Sequence, residues 1–270
     1  MPRIAICAPA TPITREDAAR VTALAAAEFP DVELLFHEQC FASDGHFAGN
    51  DATRLAALLE CANDPGMDAV WFARGGYGSV RIAEAAIAGL GKAARGKVYL
   101  GYSDIGYLLA GLYRAGLGRP THGPMVADIR REGGEDAVRR ALAYLCGASA
   151  GLGPDMRPVV AFNLTTLATL CGTPLMPDLT GHVVLVEEVS EHLYALDRLF
   201  FNVTAQIKGI TGLRLGRVSD VPENDRPFGA SPEEIARFWC ARHHIAYLGR
   251  ADIGHDADNR IVPFGLAGMG

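Results

Sequence analysis

An α/β fold built around a parallel sheet is predicted for this chain by three observations. Short apolar runs recur through its first half, a segment of helical period follows each run, and glycine-bearing turns join the two. Apolar runs that lack polar alternation belong to strands buried on both faces, as happens when helices cross over a parallel sheet. Ligands of such sheets bind outside the carboxyl ends of the strands. The turns that follow the strands are therefore where function is to be sought.

The elements follow in order. "RIAIC" (3–7) is a buried strand, and "TREDAARVTALAAAEF" (14–29) a helix opened by a Thr14-x-x-Asp17 capping box. "VELLFH" (32–37) is the next strand, "NDATRLAALLECAND" (50–64) the next helix and "AVWFA" (69–73) the third strand. After the turn "RGGYGS" come the helix "VRIAEAAIAGL" (80–90), the strand "KVYLGY" (97–102) and the helix "IGYLLAGLYRAG" (105–116). "GGEDAVRRALAYLCG" (133–147) is a further helix, and "ASAGLGPDMRP" (148–158), rich in Gly and Pro, is the expected crossing between a domain at 1–150 and another at 151–270. The second half is less regular. "HVVLVEEV" (182–189) is a strand, "EHLYALDRLFFNVTAQI" (191–207) a helix and "LRLGRV" (213–218) a strand. "SPEEIARFWCARHHI" (231–245) is a helix with Ser231 as its N-cap and Pro232 in its first turn, and the tail "GRADIGHDADNRIVPFG" (249–265) is turn-rich.

Composition bounds the partners. The chain has 270 residues, 49% hydrophobic and 21% charged, which suits one large domain or two modest ones. Its formal net charge is -6 and no basic stretch is dense enough to track a phosphate backbone, so nucleic acid is not an expected partner. No apolar run approaches the roughly 18 residues of a membrane span. The start "MPRIAICAPATPITRED" has no secretory h-region, which makes the cytoplasm the expected compartment and leaves no membrane partner. Six scattered cysteines without a C-x-x-C pair read as reduced core residues. There is no H-E-x-x-H, and the neighbours His243 and His244 would point to different faces of a helix, so no metal or cofactor is expected.

Two turns could carry chemistry. In "VYLGYSDIGYLLAGLY" (98–113), Ser103 stands between a buried strand and a helix. It is either the N-cap of that helix or a nucleophile on a tight elbow, because Gly101 to Gly106 nearly matches G-x-S-x-G. In "RGGYGS", Gly75, Gly76 and Gly78 form a phosphate cradle, a tight turn or an oxyanion hole. The dinucleotide fingerprint is incomplete, since Arg81 stands at its third Gly, and no Walker lysine follows. A serine nucleophile needs a base and an orienting acid. Glu187, Glu188, His122 and His255 are the candidates.

These residues also carry a likeness. The chain resembles the LD-carboxypeptidases, or muramoyltetrapeptide carboxypeptidases, together with the microcin C immunity-type hydrolases that share their fold. "HFAGNDATRLAALLECANDPGMDAVWFARGGYGSVRI", "GYSDIGYLLAGLYRAGLGRPTHGPM", "FNLTTLATLCGTP", "VVLVEEVSEHLYALDRLF" and "IGHDADNRIVPFG" are similar to the family's segments and occur in the family's order. The resemblance implies a flavodoxin-like N-terminal domain carrying Ser103 and a smaller β-containing C-terminal domain carrying Glu187 and His255 as a triad formed across the cleft. It implies an oxyanion hole from the backbone N–H groups of Gly76 and Asp104, a muropeptide substrate that loses its terminal D-Ala, no cofactor, and a homodimer. The immunity-type alternative, an amidase acting on aminoacyl-nucleotide analogues, would need an aromatic platform, and Trp71 and Trp239 look placed for packing instead. Gly106 stands where the family usually has Thr, and Phe162 where a Gly usually precedes the Asn; both are expected near the region that reads substrate side groups. Arg74 and Arg81 are the candidate partners of the substrate's terminal carboxylate.

Overall fold

The computed structural model describes residues 1–150 and 157–265. Part of the crossing expected at 148–158 lies outside the described residues. The first sheet takes β1 (Arg3–Cys7), β2 (Glu33–Phe36), β3 (Ala69–Phe72), β4 (Val98–Gly101) and β5 (Arg119–His122) in the parallel order 2-1-3-4-5. This is the flavodoxin-like order. The connecting helices are α1 (Arg15–Glu28), α2 (Asp51–Asn63), α3 (Val80–Gly89) and α4 (Gly106–Ala115), with α5 (Gly134–Leu145) after β5. The capping box of α1 is formed, Thr14 accepting from the Asp17 N–H and the Asp17 carboxylate accepting from the Thr14 N–H.

The second sheet is parallel throughout, in the order β6 (Val159–Asn163), β7 (Val183–Val189), β8 (Gly212–Ser219) and β9 (Tyr247–Arg250). Its helices are α6 (Leu164–Leu170), α7 (Leu193–Gln206) and α8 (Pro232–Arg242), the last capped by Ser231 as its sequence predicts. The tail is turn-rich between two short strands. It opens in β9, and β10 (Val262–Pro263) then returns antiparallel to β5, pairing Val262 with His122 and Pro263 with Thr121. Gly265 bridges to Val159, so the returning chain touches the edge strands of both sheets.

One apolar cluster joins the two halves. Phe72, Tyr102, Ile105 and Leu108 pack in it with Phe162, Leu164, Leu167, Val184 and Val186. Burying each such side chain contributes about 1.5–3 kcal/mol. Gly106 and Phe162 are both buried in this seam, where a Cβ on Gly106 would stand 2.8 Å from Thr166 Cγ2 and 3.4 Å from Phe162 Cδ1. Gly106 and Phe162 are therefore neighbours in the core, with Thr166 closer still to the Gly106 position.

Candidate active site

Ser103 follows β4 with φ 59°, a left-handed backbone that is uncommon outside glycine. A short 3-10 turn (Ser103–Ile105) leads from it into α4, and no side chain caps either the turn or the helix. The N-cap reading of Ser103 is thereby overturned. Its hydroxyl is turned the other way, 2.9 Å from His255 Nε2. The room for this comes from the glycine loop, because a Cβ on Gly75 would stand 3.1 Å from Ser103 Cβ and 3.4 Å from the Asp104 nitrogen.

The two acids at the end of β7 lie on opposite faces of the strand, as alternation requires. Glu187, with no exposed surface, reaches His255 Nδ1 at 2.6 Å through Oε2. Glu188 turns to α6, where it accepts from Asn163 Nδ2 at 2.6 Å, from the Thr165 N–H at 2.8 Å and from the Thr165 hydroxyl at 2.7 Å. Burial first, and the charge of Glu187 after it, raise the Glu188 carboxyl above its ordinary range against the pull of these donors. Asn163 is itself the N-cap of α6, and Thr166 donates to the Ser103 carbonyl at 3.3 Å. Glu188 thus supports the nucleophile's turn from behind.

His255 stands in a turn held from several sides. Arg131 donates to its carbonyl at 2.6 Å and to Asp128 at 2.8 Å. Arg217 of β8 pairs with Asp252 at 2.6 Å and with Asp256 through both oxygens. Asn259 Oδ1 accepts from the Gly254 N–H at 3.2 Å and lies 3.0 Å from His122 Nε2, which ties the two residues together. Burial works to lower the basicity of His255, but the charge and hydrogen bond of Glu187 outweigh it, and its pKa rises above 6.5. A base of this kind, hydrogen-bonded to a hydroxyl and oriented by a buried acid, can draw the hydroxyl proton and make the oxygen nucleophilic.

The loop after β3 lies against the Ser103 turn, a Cβ on Gly75 falling 3.3 Å from Ser103 Oγ. Gly76 and Gly78 have φ 99° and 134°. Thr11 donates to the Gly75 carbonyl at 2.6 Å, and Asp104 accepts from the N–H groups of Gly78 at 3.3 Å and Ser79 at 2.8 Å. The Ser79 hydroxyl donates to the Asp104 carbonyl at 2.5 Å, so the loop and the nucleophile's turn form one hydrogen-bonded unit. Among the described residues the Gly76 N–H has no acceptor.

Comparison with known proteins agrees in both halves. The model described as LD-carboxypeptidase N-terminal domain matches residues 4–123, and that described as LD-carboxypeptidase C-terminal domain matches residues 158–268. The chain belongs to the LD-carboxypeptidase family. The murein tetrapeptide carboxypeptidase of Pseudomonas aeruginosa is 28% identical over 285 residues, covering 97% of this chain and 91% of that protein. Among solved structures, the muramoyltetrapeptide carboxypeptidase of Oxalobacter formigenes superposes with a TM-score of 0.80 at 24% identity, covering 97% of this chain and 92% of that one. The microcin C7 self immunity protein MccF superposes with a TM-score of 0.75 at 18% identity, covering 98% and 91%. Both likenesses concern the fold.

In this LD-carboxypeptidase-family chain, His255 hydrogen-bonds Ser103 through one ring nitrogen and Glu187 through the other, and Gly75 lies against Ser103 and the Asp104 nitrogen. Glu188 and His122 are not in that contact; they hold α6 and the His255 turn. Arg81 is engaged with Asp51 through bonds of 2.9 Å to both oxygens, whereas Arg74 has no carboxylate partner among the described residues and meets only the Pro12 carbonyl at 3.5 Å. Trp71 is fully buried with its indole on the Pro124 carbonyl, and the Trp239 indole donates to Asp197. Thr11, Arg54, Arg131, Asn163 and Asn259 escaped the sequence reading. Each works through partners distant in sequence, and only the family-like strings around Arg54, Asn163 and Asn259 offered any signal.

Proposed function

We propose that this protein is a serine LD-carboxypeptidase that releases the terminal D-alanine from murein tetrapeptides in the cytoplasm. The observation that carries the reading is the contact chain from Ser103 Oγ through the His255 imidazole to the buried Glu187 carboxylate. Ser103 Oγ would attack the carbonyl of the residue before the D-alanine while its proton passes to His255 Nε2. The carbonyl oxygen takes up the negative charge and faces the N–H groups of Gly76 and Asp104. Collapse breaks the C–N bond, and His255 returns the proton to the leaving amine. Water then attacks the ester on Ser103, giving a proton to His255, which restores the serine hydroxyl as the acid departs. Glu187 holds the imidazole tautomer and stabilises its charged form throughout.

A carboxypeptidase also needs a cation for the end of its substrate. Of the arginines near the glycine loop and the Ser103 turn, Arg130 is engaged with Asp17, Arg131 with Asp128 and Arg81 with Asp51, whereas Arg74, one residue before Gly75, has no carboxylate partner among the described residues. The test is incubation of the purified protein with a tetrapeptide muropeptide. D-alanine should appear with the wild type and not with Ser103→Ala; equal release by both would sink the proposal. Aminoacyl sulfamoyl adenosine, included as a parallel substrate, separates the immunity-type amidase from the carboxypeptidase.

A further inference from the structure

Arg54 has no exposed surface. It lies on the buried face of α2 with Ala57, Leu58 and Cys61. A guanidinium stays charged and presents five donors in a planar fork, so its burial is tolerated only where acceptors meet the fork. Here Nη1 donates to the carbonyls of Pro9 and Gly78, the latter at 2.8 Å, and Nε donates to the Gly49 carbonyl at 3.2 Å. Nη2 pairs with Asp51, and the Phe47 ring lies 4.7 Å from the guanidinium carbon. One side chain thus gathers three backbone segments: the carboxyl end of β1, the glycine loop after β3 and the turn ahead of α2.

The glycine loop is pinned on both sides of Gly76. Thr11, two residues beyond Pro9, holds the Gly75 carbonyl, while Gly78 gives its N–H to Asp104 and its carbonyl to Arg54. Gly76 hangs between these pins at φ 99° with no side chain of its own. We infer that Arg54 is a positioning residue which, through the Gly78 carbonyl and the Pro9–Thr11 segment, aims the Gly76 N–H at the developing oxyanion. The inference rests on the serine-hydrolase reading proposed above. Arg54 acts through the loop, since its partners are carbonyls and Asp51 rather than Ser103 or His255.

Arg54→Lys keeps the charge and loses the fork, because an ammonium cannot reach Pro9, Gly49, Gly78 and Asp51 together. Its kcat on the tetrapeptide should fall roughly 10–100-fold with KM within about twofold of wild type, the signature of a loss felt mainly in the transition state. The acid limb of its pH profile should not move, since the His255–Glu187 pair is untouched. A peptide boronic acid adds to Ser103 Oγ to form a tetrahedral adduct, the serine proton passing to His255. Its affinity should fall ~10-fold or more in the variant, whereas the product tripeptide should bind as it does to wild type. A merely structural role would weaken both ligands by the same factor. Wild-type kcat in Arg54→Lys, or equal losses for boronate and tripeptide, overturns the inference. If Arg54→Lys does not fold, Asp51→Asn, on a partly exposed side chain that grips the same guanidinium, is read by the same ratio, and an unchanged ratio overturns it equally. A wild type that releases no D-alanine overturns the function together with this inference. An active wild type matched by Arg54→Lys overturns the inference alone.

Discussion

Ser103 occupies its left-handed backbone at a cost of about 1–3 kcal/mol, and the neighbouring Gly75 leaves room for it. The conformation turns the hydroxyl away from the helix it precedes and toward His255. The raised pKa of His255 sets the pH behaviour of the site. The proposed base must be neutral, so kcat/KM is lost on the acid side with a midpoint above 6.5. In Glu187→Gln burial remains and the main raising partner is gone, so that midpoint should move to lower pH while kcat drops by about 10³–10⁴-fold. Steady-state rates between pH 5 and 8 check both shifts; an acid limb that stays put in the variant would contradict the assigned role of Glu187. Stability follows the same proton. A base whose pKa is raised by folding stabilises the native state fully below its unfolded value, and that contribution is lost as pH rises through the folded value.

At the scale of elements, strand ends and helix starts assemble the site. Glu187 and Glu188 are adjacent in sequence and serve opposite faces of β7, one toward the imidazole and one toward the start of α6. The meeting of α4 and α6 at Gly106, Thr166 and Phe162 brings the Ser103 turn against the second sheet. Phe162→Gly should cost about 3–5 kcal/mol through the cavity it leaves, and Gly106→Thr about 1–3 kcal/mol through overpacking against Thr166. Because a Cβ at Gly106 would touch both Thr166 and the Phe162 ring, the double variant should depart from the sum by at least ~0.5 kcal/mol. Urea unfolding of the four proteins in the cycle measures the coupling, and strict additivity would show that the two positions do not interact. Most of these elements were legible from apolar runs and capping signals. The strands β9 and β10 and the short pair β6 and α6 were not, because a strand of two residues or a helix of seven carries too little periodicity to read.

Across the whole molecule, His122 of β5 ties the first sheet to the turn that carries His255. Burial first, opposed by the Asn259 hydrogen bond, takes its pKa down to about 4. The unfolded chain accepts that proton below about 6.5 and the native state refuses it until about 4, so stability should fall between those values by up to about 3 kcal/mol. His122→Gln keeps a donor for Asn259 and removes the titration; its urea midpoint should change less between pH 7 and pH 4.5, and an acid loss equal to that of wild type would assign the effect to other groups. The amino-acid sequence by itself determined the parallel α/β scaffold, the helix caps and the glycine and serine turns, because these follow from local periodicity and local hydrogen bonding. The family resemblance, and no local pattern, implied Glu187 and His255 as the partners of Ser103; only the tertiary structure put the Ser103 hydroxyl on one nitrogen of His255, Glu187 on the other, and Arg54 on the glycine loop. Those outcomes depend on contacts between residues 24 to 152 positions apart, and no local pattern encodes which distant partner will satisfy a buried polar group.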